Sequence, residues 1–157
     1  MGFVLLVFLA WLITVLYTVI NKKLTFIENT FVYLFTLVLN INVTWIVYEE
    51  LKLAEISDRA LDYTAFLIHR SITLPLVIVI AINLYRTANT FGSKVVKTAL
   101  SVLFLVFSIA IARYFDILEY KTWTILYEII YLSILHLLAC YSLKYFENTK
   151  TKGVRGA

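Results

Sequence analysis

Residues 63–85 read YTAFLIHRSITLPLVIVIAINLY, a run of 23 residues with one Arg as its only charged Asp, Glu, Lys or Arg side chain. At about 1.5 Å of rise per residue, a helix of this length crosses the roughly 30 Å hydrocarbon layer of a bilayer. The run has no continuous polar stripe with a period near 3.6 residues, which a surface helix of a soluble protein would have. It therefore predicts a transmembrane helix.

Four further apolar runs of similar length lie on either side of this one. Hydrophobic residues make up 62% of the 157 residues, with one Pro and four Gly, which fits a chain whose outer surface contacts lipid. We therefore predict an all-α polytopic membrane protein, a bundle of five transmembrane helices within a single domain, 1–146. The rest, 147–157, is predicted to be a flexible basic cytoplasmic tail. The predicted spans are 2–21, 31–48, 63–85, 97–116 and 122–143.

Basic residues are distributed unequally between the two sides that the alternating gaps define. Lys and Arg concentrate in the cytoplasmic loops of membrane proteins, so this inequality predicts orientation. The side with fewer basic residues holds Lys52, Arg59 and Lys121. The N-terminus is therefore predicted to lie outside, and the C-terminus in the cytoplasm of a bacterial-type plasma membrane. The nine basic residues of the predicted cytoplasmic side are Lys22, Lys23, Arg86, Lys94, Lys97, Lys144, Lys150, Lys152 and Arg155.

Charged residues inside the spans sort by depth. Arg70, Arg113 and Glu128 each lie 16 residues from a basic residue at the predicted cytoplasmic end, about 24 Å along a helix. An unpaired charge inside a bilayer is costly, so opposite charges at one depth are expected to face each other. Asp116 is three residues beyond Arg113 and within reach on the same helix. The predicted outer charged layer consists of Arg70, Arg113, Glu128, Glu49, Glu50 and Asp116.

This layer has two interpretations. It is either the floor of an outward-facing vestibule for an ion, a small solute or a lipid headgroup, or a structural feature. In the structural interpretation, Arg70 and Arg113 extend toward the interface and the ion pairs hold helices together. The structural interpretation is favoured, because charges near the interface are tolerated without a function.

A second group of polar residues is predicted near the bilayer midplane. Such residues usually bond neighbouring helices. The alternative is a polar track from the outer surface along Asn42, Trp45 and Glu49, beside a third span in which Pro75 frees a backbone carbonyl. For the histidine of this group, a neutral imidazole bonded to Asn or Ser is favoured over a proton relay. The predicted members are Asn40, Asn42, Ser108, Ser133 and His136.

No enzyme motif is complete in the sequence. Glu49 and Glu50, followed by Phe66 and His69, are similar to the pattern of paired-glutamate intramembrane proteases, but the expected Arg and the Phe-to-His spacing are missing. There is no HExxH motif and no Asp-rich prenyl-diphosphate motif. The two histidines differ in depth, which argues against one haem between them, and the single cysteine excludes an intrachain disulfide and a Cys-rich metal site. No metal or cofactor is predicted.

The leading functional hypothesis is a small non-enzymatic subunit, sensor or scaffold of a membrane assembly. Ser108 and Ala112, four residues apart, are expected to offer a close-packing face to a partner helix. The gap 51–62 is expected to form an interfacial helical turn. The alternative function is an oligomeric transporter or channel for a small solute, ion or lipid. The expected partners are the bilayer and either another membrane protein or further copies of this chain. Nucleic acid is not expected, because the basic residues lie beside the spans.

Overall fold

The computed structural model describes the backbone of residues 1–155 and the side chains of residues 1–149. Five helices are long and apolar enough to cross a membrane, which confirms the predicted all-α class and the prediction of five helices of spanning length. The second span ends in a π-helical turn, and a second π-helical turn divides the third span. The elements in order are α1 (Gly2–Val19), α2 (Phe26–Trp45) with the turn Ile46–Glu50, α3 (Ala60–Ile68), the turn His69–Thr73, α4 (Leu74–Arg86), α5 (Phe91–Tyr114) and α6 (Ile125–Arg155).

The third span is the centre of the bundle. Its most apolar stretch is 67% buried, against 22% to 33% for the other four spans. The surrounding helices turn large apolar side chains outward, such as Trp11, Phe107 and Leu137. In water this arrangement would expose a large apolar surface, whereas in a bilayer these side chains contact lipid tails.

The inward stripe of α2 contains polar residues. Asn29, Thr36 and Asn40 are buried together with Val32, at intervals of three or four residues. Polar side chains in a membrane helix turn toward the protein interior, because lipid tails offer no hydrogen-bond partners. Asn29 and Asn40 find partners there, whereas Thr36 Oγ1 is buried without one. This stripe determines which face of α2 contacts the third span.

A two-stranded antiparallel sheet closes one end of the bundle, which we call the sheet end. Strand β1 (Ala54–Ile56) precedes α3 and strand β2 (Leu118–Tyr120) precedes α6. The predicted interfacial helical turn in 51–62 is therefore wrong, because its backbone hydrogen bonds go to a partner strand more than sixty residues away. Lys52 and Asp116, with φ of 49° and 54°, redirect the chain beside these strands.

Buried amides organise the other end, which we call the opposite end. The Asn83 Oδ1 atom accepts hydrogen bonds from the backbone N–H groups of Lys23 (2.8 Å) and Leu24 (3.1 Å). Its Nδ2 atom donates to Asn29 Oδ1 at 2.7 Å. Thr25 then begins α2 through a capping box with Glu28, which satisfies two N–H groups at the helix start. The sequence pattern alone does not predict this network.

Helix α6 continues into the segment that the sequence assigns to a flexible tail. Its backbone is helical through Arg155, so 147–155 extends the fifth helix beyond the apolar stretch. Three of the nine basic residues of the predicted cytoplasmic side have side chains outside the described part of the chain: Lys150, Lys152 and Arg155.

The predicted partner-helix face on α5 is buried within this chain. Ser108 is 0% exposed and Ala112 is 5% exposed. The Ser108 Oγ atom lies 2.6 Å from His69 Nε2, on the third span. The prediction that this face is open to a partner is therefore wrong, because the small residues allow close packing against the bundle's own central helix.

Candidate functional site

A small cavity, which we call the inner cavity, lies between α1, α2, the third span, α5, β2 and α6, close to the sheet end. Its volume is about 30 Å³, which is enough to hold a water molecule. Apolar side chains such as Leu6, Ile109 and Leu118 form part of the wall. The polar residues that line it are Asn40, Thr44, Tyr48, His69, Arg70, Glu128 and Tyr131.

The break in the third span supplies two free carbonyl groups beside this cavity. The Leu74 N–H donates to the His69 carbonyl, five residues back, so the Arg70 carbonyl loses its α-helical donor. Pro75 has no N–H, so the Ser71 carbonyl loses its donor as well. Both carbonyls therefore need partners from another helix.

Helix α2 provides both partners. The Asn40 Nδ2 atom donates to the Arg70 carbonyl at 2.8 Å, and the Tyr33 hydroxyl donates to the Ser71 carbonyl at 2.8 Å. The Asn40 Oδ1 atom also accepts a 2.6 Å hydrogen bond from the Tyr131 hydroxyl of α6. Asn40 is 0% exposed and joins three spans through one side chain.

The Arg70 guanidinium is only partly satisfied. Its Nη1 atom donates to Thr44 Oγ1 at 3.3 Å, and its Cζ atom lies 5.8 Å from the centre of the Phe66 ring. Its Nε atom is buried without a hydrogen-bond partner. Within the described side chains, no carboxylate lies within 4 Å of Arg70.

The Glu128 carboxyl is 6% exposed at the start of α6. Its Oε2 atom accepts hydrogen bonds from Trp123 Nε1 at 2.7 Å and from the Tyr120 hydroxyl at 3.2 Å. Burial and the adjacent Glu128 raise the pKa of Tyr120 well above its usual range, so this hydroxyl keeps its proton and donates. No cationic side chain lies within 4 Å of Glu128 among the residues described.

Arg70 and Glu128 thus line one cavity without forming an ion pair. Burying a charge without an opposite charge in direct contact costs free energy. A water molecule held in the cavity would lower this cost by forming hydrogen bonds with the charged groups. The site can hold a water molecule or another species of that size between a guanidinium and a carboxyl group. It can also bind or release a proton at Glu128.

An open cleft at the sheet end lies next to the inner cavity. We call it the outer cleft; its volume is about 340 Å³, and its lining includes Glu49, Lys52, Glu55 and Asp58. Tyr48 lines both the outer cleft and the inner cavity. Its ring packs edge-on against Phe66, with ring centres 5.2 Å apart. The Tyr48 side chain is therefore a shared wall between an acidic cleft and a buried charged cavity.

The other members of the predicted outer charged layer lie apart from the inner cavity. Arg113 is exposed and stacks its guanidinium 4.4 Å from the centre of the Tyr120 ring. Asp116 is exposed in the loop after α5 and forms no ion pair with Arg113 in the described part of the chain. Glu49 and Glu50 are exposed, and Glu50 accepts a 3.2 Å hydrogen bond from Trp45 Nε1.

The predicted midplane residues form separate contacts. His136 is buried, with Nε2 2.7 Å from Ser101 Oγ and Nδ1 2.8 Å from the Leu132 carbonyl. Asn42 is exposed and donates to the Val38 carbonyl of its own helix, and Ser133 likewise bonds the Ile129 carbonyl. Asn40 and Ser108 bond across helices, as described above.

Several residues of the site were not identified from the sequence. They are aromatic or hydroxyl side chains, and the sequence contains many tyrosines, 11 in all, that are equally suited to a lipid interface. One usable signal is spacing: Tyr131 is three residues after Glu128 and so shares its face of α6. The missed residues are Thr44, Tyr48, Tyr120, Trp123 and Tyr131.

Comparisons with known proteins assign no function to the site. No protein-family model matches the sequence, and no curated protein or solved structure is significantly similar to the chain. Among the residues that the structure describes, no group of three or more His, Cys, Asp or Glu side chains is placed to hold a metal ion.

Proposed function

We propose that the protein is a non-enzymatic sensor or subunit of a membrane assembly that binds a small cationic solute at its sheet end. The observation that carries this proposal is the position of Tyr48, a wall of both the outer cleft and the inner cavity. A ligand in the outer cleft would contact Tyr48, and a shift of this ring would change the space beside Arg70 and Glu128. Side chains 0% exposed, including Ile78, Leu105 and Leu132, fill the bundle interior, which favours binding over passage.

The charges of the outer cleft indicate the ligand class. Glu49, Glu55 and Asp58 line it together with Lys52. Glu55 forms an ion pair with Lys121, so Glu49 and Asp58 are the carboxylates that a ligand would meet. A positive charge in the cleft would be attracted by both.

The distribution of basic residues supports an orientation in which the sheet end faces outward. Four basic residues lie toward the opposite end, in a loop or in a terminal helical turn beside the spans: Lys22, Lys23, Arg86 and Lys94. This orientation places the N-terminus outside and the C-terminus in the cytoplasm of a bacterial-type plasma membrane.

Cysteine labelling tests the orientation. In a Cys140→Ala background, Asp58→Cys is expected to react with a membrane-impermeant maleimide on intact bacterial cells, because Asp58 is exposed at the sheet end. Lys22→Cys, also exposed, is expected to react only after the cells are permeabilised. The reverse labelling pattern would overturn the proposed orientation.

Ligand binding is tested with the whole chain in lipid nanodiscs. Thermal unfolding is followed by tryptophan fluorescence against sodium, calcium, ammonium, choline and spermidine, with glucose as a neutral control. One cation class is expected to raise the unfolding temperature saturably. Because one exposed charge contact is worth up to about 1 kcal/mol, Asp58→Asn is expected to weaken binding about fivefold.

The matched control is Glu119→Gln, which removes an exposed carboxylate of β2 that does not line the outer cleft. Its affinity is expected to equal that of the unchanged protein. Equal weakening in both variants would indicate a general charge effect, and no stabilisation by any cation would contradict the proposal.

A transporter is the second candidate, favoured by the location of Glu128 behind Tyr48. In proteoliposomes, a transporter would move the bound cation, and Glu128→Gln would abolish that flux while the protein stayed folded. Our proposal expects saturable binding with no flux above that of protein-free liposomes.

A further inference from the structure

A third cavity lies at the opposite end, on the lateral surface between α4 and α6. We call it the basic groove; its volume is about 520 Å³. It shares no lining residue with the inner cavity or the outer cleft. The inference drawn from it does not rest on the proposed function.

Positive charge is concentrated at the mouth of the basic groove. Arg86, Lys94 and Lys144 line it from three different helices, and among the described side chains Glu147 supplies one carboxylate. Arg86 Nη2 binds Glu147 Oε1 at 2.5 Å, and Lys94 Nζ lies 5.0 Å from the centre of the Tyr85 ring. The three cations therefore exceed the local negative charge, and an anion is the complementary ligand.

The inner part of the groove is apolar. Ile82 is buried four residues before Arg86 on α4, and Leu137 lies seven residues before Lys144 on α6. At about 1.5 Å per residue, the apolar wall extends roughly 6–10 Å from the cations toward the bundle centre. A free phosphate would bind the cations and leave this apolar wall uncovered. A phospholipid would cover both, because its phosphate would lie beside the cations and its acyl chain would lie along the wall.

We propose that the basic groove is a binding site for an anionic phospholipid. The phosphate lies among Arg86, Lys94 and Lys144, and one acyl chain follows Ile82 and Leu137. Basic pockets between membrane helices recognise anionic headgroups in this way. Arg86 is already held by its ion pair with Glu147, so little conformational entropy is lost when its planar guanidinium also binds the phosphate.

The test uses the delipidated full chain in mild detergent, with native mass spectrometry as the measurement. Phosphatidylglycerol is titrated against phosphatidylcholine with the same acyl chains. One phosphatidylglycerol is expected to bind per chain, in preference to phosphatidylcholine. At about a factor of five for each basic residue near a headgroup, Lys94→Gln combined with Lys144→Gln is expected to weaken binding about 30-fold.

The matched control combines Lys22→Gln with Lys23→Gln, which removes the same charge at the same end but outside the groove. Its phosphatidylglycerol affinity is expected to be unchanged, and equal weakening in both double variants would overturn the site. Equal affinity for the two lipids would also overturn it.

A third variant distinguishes a lipid from free phosphate. Cys140 lines the groove and is half-buried, so Cys140→Phe is expected to fill the acyl position and abolish lipid binding while the three cations remain. Inorganic phosphate that competes with lipid and is unaffected by Cys140→Phe would be consistent with this. Undiminished phosphatidylglycerol binding by a folded Cys140→Phe variant would overturn the proposal, as would phosphate binding as tightly as the lipid.

Discussion

Replacing Asn40 by Leu is expected to lower the free energy of unfolding by about 2–4 kcal/mol. The substitution removes the hydrogen bonds that Asn40 forms with the Arg70 carbonyl and the Tyr131 hydroxyl. Hydrogen bonds between membrane helices contribute about 0.6–1.7 kcal/mol each, and a buried group left without a partner costs about 1–3 kcal/mol more. The Arg70 carbonyl is such a group, because the π-helical turn has already removed its helical donor.

The measurement is reversible unfolding in mixed micelles of mild detergent and dodecyl sulfate. Asn42→Leu is the matched control, since it makes the same chemical change on the same helix at an exposed position bonded only within α2. It is expected to change the free energy of unfolding by less than about 0.5 kcal/mol. Equal effects of the two substitutions would contradict the role assigned to Asn40.

The number of spans was predictable because bilayer thickness imposes a length on each apolar run. Bilayer thickness places no such constraint on the loops, so the two strands of the sheet end were not predictable in this way. Segments 51–62 and 115–124 are short and lie far apart in the sequence, and the pairing of β1 with β2 depends on how the helices between them, α3 to α5, are packed. Sequence periodicity detects local amphipathicity, and the spacing of apolar residues in 51–62 also fits a helical turn.

The depth of a charged residue along its span is predictable from the sequence. The direction in which its side chain faces around the helix axis is not. Depth along the spans groups Arg70 with Glu128, and both line the wall of the inner cavity. Depth also groups Arg113 with them, although Arg113 is exposed and contacts Tyr120. Residues at one depth can face any direction, and only packing of the neighbouring helices determines which of them meet.

Pro75 illustrates a partial prediction. Its sequence position indicated a freed carbonyl in the third span, and the structure identifies it as the carbonyl of Ser71, which accepts from Tyr33. The π-helical turn frees a second carbonyl, that of Arg70. The residue types in 69–73 do not predict a π-helical turn. The contacts of Asn40 therefore required the structure.

Glu128→Ala is expected to destabilise the protein by about 2 kcal/mol, and Glu128→Gln by less than half as much. Alanine leaves Trp123 Nε1 and the Tyr120 hydroxyl without their acceptor, whereas glutamine keeps an oxygen where both can donate. The loss is moderated because alanine also removes a buried carboxyl that has no cation in direct contact among the described residues.

A double-mutant cycle isolates the bond from Trp123 to Glu128, the shorter of the two at 2.7 Å. Trp123→Phe and Glu128→Ala are measured alone and together by the same unfolding assay, with Glu119→Ala as the exposed carboxylate control. A coupling free energy of about 1–2 kcal/mol is expected, because each single substitution already breaks the bond that the other would remove. Glu119→Ala is expected to stay within about 0.5 kcal/mol of the unchanged protein. Additive losses would mean that the indole and the carboxyl do not interact, and a more stable Glu128→Ala would mean that Glu128 is retained for binding at a cost in stability.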